Sequence, residues 1–204
     1  MNRTEKFWDR IAKRWDAGGN KLDEESATLV EKTRKHLNPR DIVLDYGCGT
    51  GTIANEIAAD VSEIHGSDIS SGMIEVAKRT ASERNIENIN YARSTIFDEQ
   101  YQNEKFDVIT AFNILHLVED LPKVIMRINE LLKPGGIFIS TTPCLGEDGS
   151  FLGFILSLLS KTGLVPKISM LKTSVLEDFV IGGNFQIIKT ETQERSHFIA
   201  AKKN

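Results

Sequence analysis

The sequence predicts an α/β fold in which a mostly parallel sheet is covered by helices on both faces. Short apolar segments alternate with helical segments between Asp41 and Thr141, a rhythm that is typical of repeated strand–helix units. The first of these strands runs directly into the glycine cluster Gly47-Cys48-Gly49-Thr50-Gly51. The chain has 204 residues, which suits one domain of ordinary size with a continuous core. We therefore expect a single domain over residues 1–204.

An N-terminal helical cap is predicted over about residues 1–38. From Thr4 to Trp15, large apolar side chains recur at helical spacing with charges between them, which indicates an amphipathic helix. Residues 17–20, Ala-Gly-Gly-Asn, break it. A second helix is expected from about Asp23 to Leu37, because Asn38-Pro39 stops helical structure.

The alternating part of the chain contains five predicted strands. They are Ile42 to Leu44, a strand around Ile64 that ends at Asp68, Ile89 to Ala92, Phe106 to Phe112, and Ile137 to Thr141. The helices between them are Thr52 to Ala59, a helix capped by Ser70 or Ser71, and Asp120 to Leu132. Lys133-Pro134-Gly135-Gly136 is expected to end the last of these helices.

The tail departs from this rhythm. Phe185 to Lys189 and Phe198 to Ala201 are predicted strands with only a polar turn between them. A connection this short cannot return a parallel strand, so we expect the two to pair antiparallel.

Composition and charge exclude several classes of protein. The net charge is -4 and no lysine or arginine block forms a basic stripe, which argues against nucleic acid as a partner. Cys48 and Cys144 lie far apart and in no metal-binding spacing, so neither a disulfide framework nor a metal site is expected. The N-terminus does not read as a signal peptide, and the longest apolar run is too short for stable membrane insertion. A cytoplasmic location is the expectation.

The glycine cluster is the strongest functional signal. An apolar strand leads into Gly47, Gly49 and Gly51, and a helix follows at once. Glycine permits a tight turn and lets a ligand approach the backbone closely. The spacing is GxGxG instead of the dinucleotide GxGxxG, and Asp45 stands two positions before the first glycine. A carboxylate there disfavours a pyrophosphate and favours a ligand that carries positive charge.

The second signal is Asp68, at the end of the next predicted strand. A carboxylate in this position can accept hydrogen bonds from both hydroxyls of a ribose. Its distance from the glycine cluster suits one strand–helix–strand unit. The two motifs together, in this order, indicate a nucleoside-containing ligand with a cationic group.

On these residues the chain resembles the class I S-adenosylmethionine-dependent methyltransferases, in their small-molecule branch. The resemblance covers about Phe7 to Lys202. Its motifs are Leu44 to Gly51, Ser67 to Met73, Phe106 to Ile109, Asn113 to His116 and Leu131 to Gly136. It implies a Rossmann-like three-layer sandwich whose seven-stranded, mostly parallel sheet has its last strand antiparallel.

The resemblance also implies S-adenosyl-L-methionine as the cofactor and assigns residues to it. Gly47 and Gly49, with Gly51 completing the loop, lie under the methionine portion. Asp45 faces that portion's polar atoms, directly or through water, and Asp68 holds the ribose.

The adenine side of the implied site shows a departure from the family pattern. Ile69 and Met73 are expected against the adenine. Thr95-Ile96 occupies the place where many members carry an acid that contacts the adenine amino group, so Thr95 leaves that contact without an obvious side chain. Either the first helix closes over the cofactor through Trp15, or Trp15 is an ordinary core residue that anchors this helix.

Two residues after the fourth strand face the same rim. Asn113 is expected to contact the cofactor, and His116 is the candidate general base, because imidazole titrates near neutral pH. The alternative is that His116 only packs in a helical turn.

The acceptor is predicted to be a small, partly apolar molecule. An insertion over about residues 144–171 includes the apolar run Phe151 to Leu159, which is expected as a lid over the acceptor site, with a homodimer contact or a membrane-surface helix as alternatives. The place after the fourth strand lacks the Asn/Asp-Pro-Pro-aromatic motif of amino methyltransferases acting on bases or glutamine. Methylation of a protein or of a lipid-like quinone, or a non-catalytic cofactor-binding subunit, are the rival functions.

Overall fold

The computed structural model describes residues 3–17, 22–146, 166–193 and 196–204, and for residues 15–17 it describes the backbone alone. The helices are α1 (Arg3–Ala17), α2 (Glu24–Arg34), α3 (Thr52–Ile57), α4 (Ser71–Glu83), α5 (Leu121–Leu131) and α6 (Thr173–Gly182). The strands are β1 (Ile42–Tyr46), β2 (Glu63–Asp68), β3 (Ile89–Arg93), β4 (Phe106–Phe112), β5 (Leu132–Pro143), β6 (Phe185–Gln193) and β7 (Ser196–Lys203). Short 3-10 turns cover Ala58–Asp60 and Leu115–Leu117.

The strands form one seven-stranded sheet in the order β3-β2-β1-β4-β5-β7-β6. β1 to β5 pair parallel, whereas β7 pairs antiparallel with both β5 and β6. The predicted fold class and the antiparallel tail are confirmed. Because the strand order reverses between β1 and β4, the connections that leave the carboxyl ends of these two strands run to opposite faces of the sheet, an arrangement that leaves a crevice between them.

Neighbouring residues of the central strands are buried on opposite faces of the sheet. On β1, Val43 belongs to the apolar cluster under α2, α3 and α4, and Leu44 to the cluster under α5 and α6. Both side chains are fully buried. This two-sided burial is the reason that the central strands read as continuous apolar runs instead of alternating ones.

Several predicted boundaries differ from the structure. α2 ends at Arg34, one turn before Leu37, with Lys35 as its C-cap. The predicted helix over residues 52–59 is α3 followed by a 3-10 turn. Ser70, not Ser71, caps α4, since its side chain accepts a hydrogen bond from the Met73 amide.

The other boundary differences concern strands. β5 begins at Leu132 and includes the Lys-Pro-Gly-Gly segment as an irregularity in its pairing with β4, where the register jumps from Phe106↔Leu132 to Val108↔Ile137. β6 and β7 are longer than predicted, because they extend as a hairpin beyond the core.

Some predictions fall outside the described residues. The glycine break at residues 18–20, the apolar run Phe151 to Leu159 and the Trp15 side chain are among them, and most of the expected insertion is as well. The predicted cap, insertion and domain limits therefore stay predictions. Among the helices that are described, none is long and apolar enough to cross a membrane.

Candidate active site

The glycine loop between β1 and α3 adopts a backbone that favours glycine. Gly47, Gly49 and Gly51 have φ angles of 75°, 54° and 75°, in the left-handed region that residues with a Cβ rarely adopt. A Cβ on Gly47 would lie 2.8 Å from Ile114, and one on Gly51 would overlap the Tyr91 ring. A Cβ on Gly49 would have no atom within 4 Å. The loop is therefore packed against protein at its two ends and open at Gly49.

Asp68 ties this loop to the next strand–helix unit. Its Oδ2 accepts a hydrogen bond of 3.1 Å from the Gly49 amide, and its Oδ1 accepts one of 2.8 Å from the Ser70 amide. Burial raises the pKa of Asp68, although these backbone hydrogen bonds oppose the rise. The carboxylate is thus held at the carboxyl end of β2, beside the open side of Gly49.

Asp45 is more deeply enclosed. It lies at the end of β1 with 3% of its surface exposed. Its Oδ1 accepts a hydrogen bond of 2.7 Å from the Thr110 hydroxyl on β4. Burial raises the pKa of Asp45 to about 6, the Thr110 hydrogen bond opposes the rise, and the charge of Asp68 adds to it.

The electrostatics of this pair fit a cationic ligand. Neither Asp45 nor Asp68 takes part in the ion pairs that lysines and arginines form within the described residues. Two enclosed carboxylates that repel each other destabilise the ionised form of the site, and a cation placed between them would relieve that cost. The ammonium and sulfonium groups of S-adenosylmethionine carry the required charge, so the residues present fit this group.

A cavity of about 350 Å³ opens beside Asp68. Its walls are Glu5, Ile69, Arg93, Ser94, Thr95 and Asp98. The Ser94 amide donates a 3.0 Å hydrogen bond to the Asp68 carbonyl, so the cavity is continuous with the end of β2. We refer to it as the β2–β3 cavity.

A larger cleft of about 740 Å³ lies on the other side of the loop. Its walls come from α2, from the carboxyl ends of β4 and β5, and from the β6–β7 hairpin: Glu24, Glu25, Thr28, Leu29, Lys32, Asn113, Thr141, Pro143, Glu191, Gln193, Ser196 and Phe198. The Thr141 side-chain oxygen is buried and has no hydrogen-bond partner among the described residues. We refer to this space as the α2 cleft.

Asn113 lies on the wall of the α2 cleft, whereas His116 is not among the residues that line it. Asn113 lines the α2 cleft and has a φ of 55°, a strained backbone for a non-glycine residue. Burial lowers the pKa of His116 to about 4, and its Nδ1 has no hydrogen-bond partner among the residues that the structure describes. The imidazole is therefore neutral at pH 7.

The structure places some of the residues expected against adenine on a cavity wall and encloses the others. Ile69 and Thr95 line the β2–β3 cavity. Met73 and Ile96 are 2% and 0% exposed, and they pack in the core instead of on the cavity wall. Their contact with the base stays a prediction.

Three residues that shape the candidate site were not identified from the sequence. Thr110 orients Asp45, Glu5 of α1 lines the β2–β3 cavity, and Asp9 of α1 accepts hydrogen bonds from the Ser70 hydroxyl at 2.6 Å and the Gly72 amide at 3.0 Å. A threonine between the apolar residues Ile109 and Ala111 of β4 is the signal that points to Thr110. The sequence carries no comparable signal for Glu5 and Asp9, because their roles depend on α1 docking against α4.

A comparison with protein families decides the identity of this arrangement. The family model described as "Methyltransferase domain" matches residues 37–177, which include β1 to β5, the glycine loop and Asp68. The chain belongs to this methyltransferase family. Membership in the S-adenosylmethionine-dependent methyltransferases, predicted from the motifs, is confirmed.

Curated relatives of this methyltransferase are enzymes of quinone biosynthesis. The chain is 34% identical to a "Ubiquinone biosynthesis O-methyltransferase" of Rickettsia canadensis, over 68% of this chain and 58% of the relative. It is 31% identical to a "Demethylmenaquinone methyltransferase" of Symbiobacterium thermophilum, over 73% of this chain and 61% of the relative. The chain thus spans only about three fifths of the length of these relatives.

Solved structures share the fold of this methyltransferase. The YcgJ protein from Bacillus subtilis superposes with a TM-score of 0.75 at 19% identity, covering 89% of this chain and 99% of that one. A geranyl diphosphate C-methyltransferase from Streptomyces coelicolor superposes with a TM-score of 0.73 at 15% identity, covering 87% and 78%. The Rossmann-like architecture is therefore confirmed.

Proposed function

We propose that this chain binds S-adenosyl-L-methionine across the glycine loop and transfers its methyl group directly to a small, partly apolar acceptor in the α2 cleft. The observation that carries the proposal is the open side of Gly49, whose amide donates a hydrogen bond to the Asp68 carboxylate. Asp45 would face the ammonium of the methionine portion, and Asp68 would accept hydrogen bonds from the ribose hydroxyls. The family to which the chain belongs supports the same assignment.

The chemistry requires little from the protein beyond positioning. The bound donor supplies a methyl group that its sulfonium makes electrophilic. The chain would hold the acceptor's nucleophilic atom in line with that methyl group and exclude water. Such orientation contributes about 7–11 kcal/mol to a rate enhancement. A covalent enzyme intermediate is not needed.

The α2 cleft supports a neutral acceptor with an apolar part. Leu29, Phe198 and Pro143 give it an apolar wall, whereas Asn113 and the unpaired Thr141 hydroxyl face it as hydrogen-bonding groups. Among the described residues, the cleft also carries the carboxylates of Glu24, Glu25 and Glu191 and one cation, that of Lys32, which lies 2.7 Å from Glu191. An excess of negative charge disfavours an anionic acceptor such as a carboxylate or phosphate.

A quinone precursor is the acceptor class that we favour within this description. The names of the relatives point to quinone-type acceptors, and a neutral aromatic ring with polar substituents suits the walls described above. A panel assay tests this choice: the purified chain, supplied with methyl-labelled donor, is incubated with phenolic quinone precursors, small carboxylic acids and amines. Label in the phenolic or quinone fraction supports the proposal, and label only in the anionic acids contradicts the acceptor class.

The same assay separates an enzyme from a binding-only subunit. Transfer of label by the chain alone to any member of the panel excludes the non-catalytic reading. Donor binding without transfer to any member, followed by transfer when a partner protein is added, would support it.

The first test of the donor site is Asp68→Ala. We expect it to weaken binding of S-adenosylhomocysteine by at least about tenfold, because the variant loses the acceptor for the ribose hydroxyls. Isothermal titration calorimetry measures the affinity, and circular dichroism checks the fold.

Asp107→Ala is the matched control for Asp68→Ala. Asp107 also accepts a backbone hydrogen bond, of 2.9 Å from the Ile42 amide, but it lies near the amino end of β4, whereas Asp68 lies at the carboxyl end of β2. The Asp107→Ala variant should be less stable than the wild type and should bind S-adenosylhomocysteine with unchanged affinity. Unchanged affinity in folded Asp68→Ala would refute the ribose assignment.

The role of His116 is tested by His116→Gln. Because its imidazole has a pKa of about 4, it is a weak base, and we expect it to position the acceptor or the loop instead of removing a proton. Transfer should fall less than about tenfold, and the pH profile of kcat between pH 6 and 8.5 should keep its shape. A loss of 100-fold or more in kcat with unchanged donor affinity would instead assign His116 as the general base.

A further inference from the structure

We propose that Glu5 of the N-terminal helix α1 recognises the 6-amino group of the donor's adenine and so sets the specificity of the site for an adenine nucleoside. This inference rests on the proposed function, because it assigns a residue to the base of the donor. It is carried by the position of Glu5 in the β2–β3 cavity and by its enclosed Oε1, which forms an ion pair with Arg93 but accepts no hydrogen bond from the described residues.

Glu5 is a buried acid without a complete set of partners. Only 4% of its surface is exposed, yet it lines the β2–β3 cavity. Its Oε1 lies 2.7 Å from Arg93 Nη2, but the oxygen is enclosed and receives no well-aligned hydrogen bond. An enclosed carboxylate oxygen that lacks a hydrogen bond is destabilised. A ligand N–H placed in the cavity would satisfy it.

The cavity has the position and shape that a base needs. It adjoins Asp68 through the Ser94 amide, so a nucleoside whose ribose reaches Asp68 would place its base here. Ile69 supplies an apolar surface for the ring. The volume of about 350 Å³ falls in the range of ligand pockets, about 300–1,000 Å³.

The polar groups of the cavity favour an amino group over a carbonyl. The Glu5 carboxylate accepts hydrogen bonds only. The Arg93 guanidinium is engaged by Glu5 and by the Ile69 carbonyl, to which its Nε donates at 3.2 Å. Adenine presents an N–H donor at position 6, whereas hypoxanthine presents a carbonyl oxygen that the carboxylate would repel.

Asp98 is the alternative acid in this cavity, and the structure favours Glu5 over it. Asp98 is exposed, and its Oδ1 already accepts a 3.3 Å hydrogen bond from the Gln100 amide. Water screens and competes with a hydrogen bond to an exposed carboxylate. Glu5 is shielded from that competition.

Asp9 holds α1 in place without lining the cavity. Through its hydrogen bonds to the Ser70 hydroxyl and the Gly72 amide, it anchors α1 at the start of α4. This provides a matched control, since Asp9→Asn weakens the docking of α1 but leaves the Glu5 carboxylate unchanged.

The experiment compares two ligands by isothermal titration calorimetry. S-adenosylhomocysteine and its inosine analogue, in which a carbonyl replaces the 6-amino group, are titrated into the wild-type protein and into Glu5→Gln, Asp98→Asn and Asp9→Asn. We expect the wild type to prefer the adenosyl ligand by at least about 30-fold. Glu5→Gln should reduce the preference below about fivefold, because an amide can turn either its oxygen or its nitrogen towards the base.

The controls should behave differently from Glu5→Gln. Asp98→Asn should keep the preference for the adenosyl ligand. Asp9→Asn should lower the affinity for both ligands by the same factor. Thermal unfolding of each variant confirms the fold, and Glu5→Asp, which keeps the charge on a shorter side chain, should lose affinity for the adenosyl ligand while keeping part of the preference.

Each outcome supports or overturns the inference. A Glu5→Gln protein that still prefers adenine by 30-fold, or an Asp98→Asn protein that loses the preference, overturns the role of Glu5 and leaves the proposed function intact. A wild-type protein that binds both ligands with equal affinity also overturns the role of Glu5 and leaves the proposed function intact. A folded wild type that binds neither ligand contradicts the proposed function, and the inference with it.

Discussion

Gly49→Val is expected to reduce affinity for S-adenosylhomocysteine at least about 100-fold while the domain stays folded. Apart from its chain neighbours, no atom of the described residues lies within 4 Å of the position of a Cβ on Gly49, but a valine side chain would fill the space in which we propose that the methionine portion lies. The positive φ of 54° adds a strain of about 1–2 kcal/mol. Calorimetry measures the affinity, and thermal unfolding measures the stability.

Gly135→Val separates strain from loss of ligand space. Gly135 has a φ of 73°, and a Cβ there would make an ordinary contact of 3.4 Å with Lys202, in the β5 irregularity away from the glycine loop. This variant should lose a similar amount of stability and bind the ligand normally. Equal affinities for the two variants would show that Gly49 does not face the ligand.

Asp45→Asn is expected to change stability and affinity in opposite directions. Burial raises the pKa of Asp45 to about 6 in the folded chain. A raised carboxyl pKa means that the stability from this group is complete below its unfolded value and is lost as pH rises through about 6. At pH 7.5 the ionised carboxylate therefore destabilises the ligand-free domain.

The size of the stability change follows from that shift. A rise of about two pKa units corresponds to about 3 kcal/mol. Asparagine removes the charge and can still accept the Thr110 hydrogen bond, so the variant should unfold about 3–10 °C higher than the wild type in the absence of ligand at pH 7.5. The difference should shrink towards pH 5, where the wild-type carboxyl is protonated.

Ligand binding should respond in the opposite sense. The ammonium of the ligand favours the ionised carboxylate, so Asp45→Asn should lose at least about tenfold in affinity. In the wild type, lowering the pH from 7.5 to 5 should weaken binding about tenfold, because the carboxyl must lose a proton before it can pair with the ammonium. The variant should show a nearly flat profile over this range. An Asp45→Asn variant that is less stable than the wild type and binds the ligand equally well would contradict two claims. These are that ionised Asp45 destabilises the ligand-free domain and that it pairs with the ammonium of the ligand.

The fold and the glycine turn with its acidic neighbours were largely predictable because local signals agree with one another. The order of strands and helices, the glycine turn and the acid after β2 are each encoded within a few residues, and each follows from hydrophobic periodicity or backbone conformation. The errors lie at element ends. The Lys-Pro-Gly-Gly segment was predicted to separate a helix from a strand, but it forms an irregularity within β5, between the pairs Phe106↔Leu132 and Val108↔Ile137.

The environment of each site residue was less predictable. Sequence placed Gly47, Gly49 and Gly51 in one loop, but it did not show that Ile114 and Tyr91 occupy the space beside two of them. It did not show how deeply packing encloses Met73 and Ile96, whose contact with the base stays a prediction. These outcomes depend on which side chains from distant segments fill a given volume.

The sequence by itself determined the α/β architecture, the methyltransferase family and the two carboxylates that flank the glycine turn, because strand–helix alternation and turn chemistry act over short distances along the chain. Only the tertiary structure decided that α1 brings Glu5 and Asp9 to the cofactor side of the sheet and that Thr110 orients Asp45. Those contacts join segments about 60 residues apart, and side chains so separated meet only when the packed core fixes their positions.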